Sequence, residues 1–122
     1  MNVYVASKFE NQVPVKKLQS LLKNAGHTIS YDWTSENPDW SRRTMAEKDL
    51  DGVISADAIV LICYPKLSGA MVELGICIAT RKHIVVVDSR RTGCNKCIFY
   101  DLPMIKHVRT IEDAVKEINL IK

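Results

Sequence analysis

The sequence lacks the features that would place it in several large classes of protein. A membrane span needs about 18 consecutive apolar residues, and no apolar run in the sequence is that long. Its net charge of +3 is not gathered into the basic face expected of a protein that binds duplex nucleic acid. Lys8 and Glu10 interrupt any signal-peptide pattern near the start. We therefore expect a cytoplasmic protein whose partners are neither membranes nor nucleic acid polymers.

Cysteines are few and poorly placed for a metal or redox site. Cys63 and Cys77 lie within apolar segments and are expected in the core. Cys94 and Cys97 form a single C-x-x-C in a polar loop, but zinc takes four ligands and there is no second pair. Nor does the pair open a helix after the first strand, as in a thioredoxin-like unit. The sequence predicts no metal and no cofactor, and favours a reduced loop pair over a redox or metal function.

Three familiar classes of protein are built on a doubly wound sheet, and this chain lacks the signature residues of each. A response-regulator receiver needs a phospho-accepting Asp at the end of the third strand, where this chain has Cys63 and Tyr64. The S-K-F-E-N that follows the first apolar segment is a poor match for the Ser/Thr/Gly-rich phosphate loop of a flavodoxin. A dinucleotide site would need G-x-G-x-x-G at the same place, and that motif is absent.

What the sequence does contain is a regular alternation of short apolar strands and helices. Strands are expected over residues 2–6, 28–33, 58–63, 83–87 and 105–108. Helices are expected over residues 13–25, 41–55, 68–81 and 111–121. Apolar strands that alternate with helices indicate a parallel sheet covered on both faces. We therefore predict one domain over residues 1–122 with an α/β, flavodoxin-like, doubly wound five-stranded parallel sheet of order 2-1-3-4-5.

This topology also predicts where a ligand binds. In doubly wound sheets, ligands lie beyond the carboxyl ends of the strands at the point where strand order reverses, here between strands 1 and 3. The loops after those strands predict a substrate-binding pocket lined by Ser7, Lys8, Phe9, Tyr64, Ser68 and Gly69. Ser68 also occupies the expected N-cap of the third helix, whether or not it contacts a ligand.

Glu73 is the only charged residue between Leu67 and Thr80, in a helix so apolar that we expect it to be largely buried. A buried carboxylate requires a partner, a raised pKa or a chemical role. Asp49 is a candidate second carboxylate, although its charged helix is also typical of a solvated face. Cleavage of a glycosidic bond uses such a pair, in which one group attacks or stabilises the anomeric carbon and the other protonates the leaving group.

Two segments, D-L-D-G-V-I-S-A-D-A-I-V-L-I and S-G-A-M-V-E-L-G-I-C-I-A, resemble the nucleoside 2-deoxyribosyltransferase family. The likeness is closest to its small 2′-deoxynucleoside 5′-monophosphate N-glycosidases and covers nearly the whole chain. The family's G-x-x-x-E-L-G element is matched by Gly69, Glu73, Leu74 and Gly75. Its acidic residue is matched by Asp49 and its pocket tyrosine by Tyr4. Its T-G loop is matched by Thr92 and Gly93.

The resemblance implies an enzyme that cleaves or transfers the N-glycosidic bond of 2′-deoxynucleosides or their 5′-monophosphates. Glu73 would attack C1′, Asp49 would protonate the departing base, and Tyr4 would position Glu73 or the sugar. Tyr4 alternates with core residues, so a purely structural role stays open. The family also implies a homo-oligomer, expected to be a dimer, whose sites are completed across the interface.

The chain departs from the monophosphate hydrolases at the phosphate site. Their phosphate-binding serine falls at Leu67 by spacing, and the serine contributed by the neighbouring subunit falls near Cys97. Ser68, Lys8 and Arg90 are the candidate replacements, with ordinary loop charges as the alternative for Arg90.

Two further functions stay open, a non-catalytic nucleotide-binding module and an NAD-cleaving domain of the Toll/interleukin-receptor type. The second also carries a helix glutamate on a doubly wound sheet, but its Ser/Cys-rich surroundings are absent here. Trp33 and Trp40 are candidates either for stacking on a base or for packing.

Overall fold

The computed structural model describes residues 1–88 and 97–121. In this part of the chain the strands are β1 (Asn2–Ala6), β2 (Thr28–Ile29), β3 (Ala58–Ile62), β4 (His83–Val87) and β5 (Ile105–Val108). The α-helices are α1 (Gln12–Asn24), α2 (Arg42–Ser55), α3 (Gly69–Ala79) and α4 (Ile111–Leu120), and short 3-10 turns cover Phe9–Asn11, Trp33–Ser35 and Ile98–Asp101. None of these helices is both long enough and apolar enough to cross a membrane.

The strands form one parallel sheet in the order β2-β1-β3-β4-β5, which confirms the predicted α/β, flavodoxin-like architecture. Val60 at the centre of β3 pairs with Val5 of β1 and with Val85 of β4. Every residue of β3 is buried, as expected for a strand covered on both faces. Helix α1 packs beside α4 and α2 beside α3, so that the two pairs cover the two faces of the sheet.

Polar side chains cap α2 and α4 at the predicted starts of these helices. The hydroxyl of Ser41 accepts a hydrogen bond from the Thr44 N–H at 3.1 Å at the start of α2. Thr110 does the same for the Asp113 N–H at 3.0 Å in α4. Gly26 follows the end of α1 with a φ of +92°, a conformation that favours glycine.

The edge strand β2 is shorter than the sequence predicts and ends at Ile29 instead of Trp33. The Ser30 N–H still donates to the Val3 carbonyl oxygen at 2.9 Å. Two residues further along β1, the Val5 carbonyl oxygen accepts a hydrogen bond from the indole Nε1–H of Trp33 at 2.7 Å. Because a side chain supplies the donor that a longer strand would have supplied, the strand prediction for residues 30–33 is wrong.

Helix α3 is less buried than predicted. Ala70, Leu74 and Cys77 face the core, but Val72 is 66% exposed on the outer surface. The prediction failed because a helix that is apolar all round gives no periodic signal to separate its inner face from its outer one.

Gly52 marks the closest approach of α2 to the sheet. A Cβ built on Gly52 would lie 2.5 Å from the Cβ of Tyr31 and 3.3 Å from Cε2 of Tyr4. Helix α2 can therefore pack this tightly against the two tyrosines only because residue 52 has no side chain. By contrast, a Cβ at Gly75 in α3 would have no heavy atom within 4 Å.

We predict that Gly52→Ala destabilises the protein by about 1–3 kcal/mol, because both tyrosines must shift to admit a methyl group. The matched variant Gly75→Ala places the same methyl group in open space, and its better helix propensity should stabilise by up to about 1 kcal/mol. Urea denaturation of the two variants beside the wild type measures both effects. Equal shifts of the unfolding midpoint would contradict the close packing at Gly52.

Candidate active site

A cavity of about 300 Å³ opens at the carboxyl ends of β1 and β3, where the strand order reverses. The predicted site residues that line it are Tyr4, Ser7, Lys8, Phe9, Asp49, Ser68, Gly69 and Glu73. Its remaining lining residues are Glu10, Trp33, Glu36 and Ala70. The structure therefore brings the two predicted carboxylates and most of the predicted pocket to one place.

Two of the predicted site residues are not part of this lining. Tyr64 lines a neighbouring cavity of about 440 Å³, which is also lined by Pro14 of α1 and Ile111 of α4. Arg90 lies outside the described residues, as do the other predicted features of residues 89–96. Because α1 and α4 cover the opposite face of the sheet from α2 and α3, Tyr64 and Glu73 lie on different sides of β3.

Glu73 is held by Tyr4 in the cavity wall. The Tyr4 hydroxyl donates a hydrogen bond to Glu73 Oε2 at 2.6 Å, and the Tyr4 side chain is fully buried. Burial raises the pKa of Glu73 to about 7 against the lowering effect of the Tyr4 hydrogen bond, and the charges of Asp49 and Glu36 raise it further. Burial and the Glu73 charge also raise the pKa of Tyr4 far above its ordinary value. Tyr4 is therefore a hydrogen-bond donor throughout the physiological range, whereas Glu73 titrates within it.

Asp49 reaches the same cavity from α2 and lies within hydrogen-bond reach of Glu36. Burial raises the pKa of Asp49 to about 7, with the Glu36 charge and the Glu36 hydrogen bond as further causes. The Tyr31 hydroxyl donates to Glu36 Oε2 at 2.9 Å. In the described part of the chain, Asp49 Oδ1 is buried and has no protein hydrogen-bond partner.

Sequence reasoning missed Glu36 and Tyr31. Glu36 lies in a polar loop of residues 34–43 that has no periodicity, and nothing there separates it from a surface glutamate. The sequence predicts Tyr31 within a strand, but that strand ends two residues before it. Only the tertiary packing of that loop onto α2 brings Glu36 to Asp49.

The loop after β1 is hydrogen-bonded to the end of β3. The Ser7 hydroxyl donates to the Ile62 carbonyl oxygen at 2.8 Å and accepts from Asn11 Nδ2 at 3.0 Å. Lys8 Nζ lies 3.7 Å from Glu10 Oε2 and 3.4 Å from the Lys66 carbonyl oxygen. Ser7 thus organises the cavity rim, and the positive charge of Lys8 is partly neutralised there.

Ser68 stands at the N-cap position of α3, as predicted, but its side chain makes no capping hydrogen bond. It is exposed at the cavity, beside the first turn of α3.

The tryptophans and cysteines have mostly structural surroundings. Trp33 is buried with its indole bound to β1, and the Lys48 ammonium lies 5.0 Å from the ring centre of Trp40. Cys77 is in the core, where burial raises its pKa to about 12, while Cys63 is only half-buried. Within residues 1–88 and 97–121, no group of three His, Cys, Asp or Glu side chains is arranged to hold a metal ion.

Comparison with known proteins gives one family and several solved structures. The family model for nucleoside 2-deoxyribosyltransferase matches residues 3–121. CMP N-glycosidase BcmB from Clostridium botulinum superposes with a TM-score of 0.72 at 14% identity, over 99% of this chain and 100% of that chain. The 2-deoxyribosyltransferase from Bacillus psychrosaccharolyticus gives a TM-score of 0.76 at 20% identity, over 94% and 90% of the two chains.

A conserved protein from Enterococcus faecalis V583 gives a TM-score of 0.66 at 16% identity, over 98% and 97% of the two chains. No curated protein matches the sequence significantly. At these identities the solved structures share the fold with this chain, while the family assignment comes from the family model.

The raised pKa of Glu73 makes a prediction about stability. The pKa is about 7 in the folded protein, whereas the ordinary value is 4.5, so between those pH values the folded chain retains a proton that the unfolded chain has lost. The free energy of unfolding must therefore fall as pH rises from 4.5 to 7, by roughly 3 kcal/mol from this group. We predict that Glu73→Gln abolishes this fall and becomes progressively more stable than the wild type over that window.

Chemical denaturation of wild type and Glu73→Gln at several pH values measures the difference. Glu47→Gln, which removes an exposed glutamate of α2 that pairs with Arg43, controls for the loss of one charge. Parallel stability curves for wild type and Glu73→Gln would contradict the raised pKa.

Proposed function

The chain belongs to the nucleoside 2-deoxyribosyltransferase family, whose members act on small nucleoside or nucleotide substrates, and we propose that it cleaves an N-glycosidic bond. The proposed substrates are 2′-deoxynucleosides or their 5′-monophosphates. The observation that carries the proposal is the 2.6 Å hydrogen bond from Tyr4 to Glu73 in a cavity that Asp49 also lines. The cavity therefore offers a nucleophile, a residue that orients it, and a second carboxyl group.

In the first step of the proposed mechanism, the Glu73 carboxylate attacks C1′ as the bond from C1′ to the base nitrogen breaks. Tyr4 holds Oε2, so Oε1 is the attacking oxygen. Asp49 transfers its proton to the departing base, which leaves as a neutral molecule. The products of this step are a glycosyl ester on Glu73 and an ionised Asp49.

In the second step, water attacks C1′ and the ester bond to Glu73 breaks. The proton of the water passes to Asp49, which restores both carboxyl groups, and the free sugar leaves. A second nucleobase in place of water would give transfer instead of hydrolysis. Glu73 and Asp49 both have a pKa of about 7, so an ionised nucleophile and a protonated acid can coexist near neutral pH.

A 5′-phosphate has one plausible contact region in this cavity. Lys8 and Ser68 line the cavity, as do Gly69 and Ala70 of the first turn of α3, and a helix N-terminus favours an anion. The solved relative from Clostridium botulinum is named for its action on CMP, a 5′-monophosphate. Carboxylates elsewhere in the lining oppose a phosphate dianion, so nucleosides and monophosphates both belong in the test.

We predict free-base release from a panel of deoxynucleosides and their 5′-monophosphates, assayed by chromatography with and without a second base. Glu73→Gln should lower the rate by at least about 10³-fold, because the amide cannot form the glycosyl ester. Glu47→Gln is the control with the same change of charge and should retain the wild-type rate. Full activity in Glu73→Gln, or no release from any member of the panel, would refute the proposal. Tight binding without release would instead indicate a nucleotide-binding module.

We also propose that a second copy of the chain completes each site, as in the dimer expected from the family resemblance. The supporting observation is Phe9, which lines the cavity although 68% of the residue is exposed. Sedimentation equilibrium should then give twice the mass of one chain. A fully active monomer at assay concentration would contradict this arrangement.

A further inference from the structure

Glu36 and Tyr31 lie behind Asp49 and give it surroundings that differ from those of Glu73. Tyr31 donates its hydroxyl proton to Glu36 Oε2 at 2.9 Å, and Glu36 lies within hydrogen-bond reach of Asp49. Two ionised carboxylates have only acceptor oxygens, so a hydrogen bond between them requires one proton. Because Tyr31 already donates to Glu36, the arrangement favours Glu36 as the ionised partner and Asp49 as the protonated one.

We propose that Glu36 is the positioning residue that keeps a proton on Asp49, with Tyr31 holding Glu36 in place. This inference rests on the proposed function, in which Asp49 is the acid that protonates the departing base. It adds a role for two residues, Tyr31 and Glu36, and makes the Glu36–Asp49 pair the proton reservoir of the reaction.

The charges around the pair favour proton sharing over ion pairing. The titratable groups nearest to the Glu36–Asp49 pair come from β1, α3 and the loops after β1 and β2. These groups are Tyr4, Lys8, Glu10, Tyr31, Asp32 and Glu73. Lys8 is the one cation among the described lining residues, and it lies against Glu10. With no cation other than Lys8 among the described lining residues, the pair reduces its repulsion by retaining a proton.

Asp32 does not supply that proton. Burial alone would raise its pKa, but hydrogen bonds from Thr34, Ser35 and Gln19 outweigh burial and hold the pKa below its usual value. Asp32 is therefore an ionised, fully engaged carboxylate, and its negative charge is one of the causes that raise the pKa of Tyr31.

Asp49 also has an oxygen left for the substrate. Oδ1 is buried without a partner in the described residues, and such an atom is costly unless a ligand or water meets it. When the base departs, its nitrogen takes one proton from the pair, and both carboxyl groups are then ionised. The water that attacks C1′ in the second step returns one proton to the pair, so the proton balance closes over one turnover.

The variant Glu36→Gln separates this role from simple packing. Glutamine keeps the size of the side chain, but it removes one negative charge and offers an amide N–H to Asp49. Both changes favour the Asp49 carboxylate, so Asp49 should lose its proton at lower pH. Glu73 also loses a repulsive neighbour, and its pKa should fall in the same direction.

The first readout is the pH dependence of kcat/KM with the best substrate of the base-release panel. We expect Glu36→Gln to move the alkaline limb, where Asp49 must stay protonated, to lower pH by about one pH unit or more. The activity lost should accordingly be about fivefold greater or more at pH 8 than at pH 6. Glu47→Gln, on the same helix but exposed, should keep the wild-type profile. A uniform loss of activity without a shifted limb would show a structural role and overturn the inference.

The second readout does not depend on turnover. Carboxyl ¹³C NMR titration of the wild type should show Asp49 holding its proton to about pH 7, and Glu36→Gln should lower that midpoint. An ordinary Asp49 midpoint in the wild type, or the same midpoint in both proteins, would overturn the inference even if bases are released. A shared proton in a protein that releases no base would instead refute the proposed function and, with it, the catalytic role of the pair.

Discussion

The hydrogen bond between Tyr4 and Glu73 is the contact on which the arrangement of the site depends. It joins the first strand of the sheet to a helix that follows the third strand, across the reversal of strand order. A carboxylate in so apolar a helix would be strongly disfavoured without a donor. A buried tyrosine supplies that donor without adding a positive charge, so Glu73 keeps a high proton affinity and remains available to react.

The second constraint is the crowding of carboxyl groups around one small cavity. Beyond the effect of burial, the Glu36 charge raises the pKa of both Asp49 and Glu73, and the Asp49 charge raises that of Glu73 further. The nearby Lys8 is engaged with Glu10. A structural ion-pair network would have placed a cation among these groups, at lower cost in stability. Lys8 is the one cation in the described lining and is engaged with Glu10, so the crowding of carboxyl groups is better explained by acid-base chemistry than by stability. Close packing at Gly52 holds the tyrosines that orient two of the acids.

The fold and much of the site could be predicted from the sequence because they depend on local patterns. Alternating apolar strands and helices indicated the sheet order, and the topological rule then placed the Glu73 helix at the pocket. Asp49 was a candidate second carboxylate, and the family resemblance added Tyr4 to the site. The length of β2, the exposure of α3 and the place of Glu36 could not be predicted. The length of β2 and the place of Glu36 each depend on one tertiary contact, the Trp33 indole bonded to β1 and the loop packed onto α2. The apolar surface of α3 gives no periodic signal for its exposed face.

The central claim is that Glu73 forms a covalent bond to the sugar, and trapping that ester tests it most directly. A nucleoside with fluorine at C2′ destabilises the oxocarbenium-like transition states, so the glycosyl-enzyme should accumulate. Intact-mass and peptide mass spectrometry should then find one sugar attached to the peptide that contains Glu73. Release of the base with Glu73 unmodified, or a sugar attached at another residue, would contradict the account.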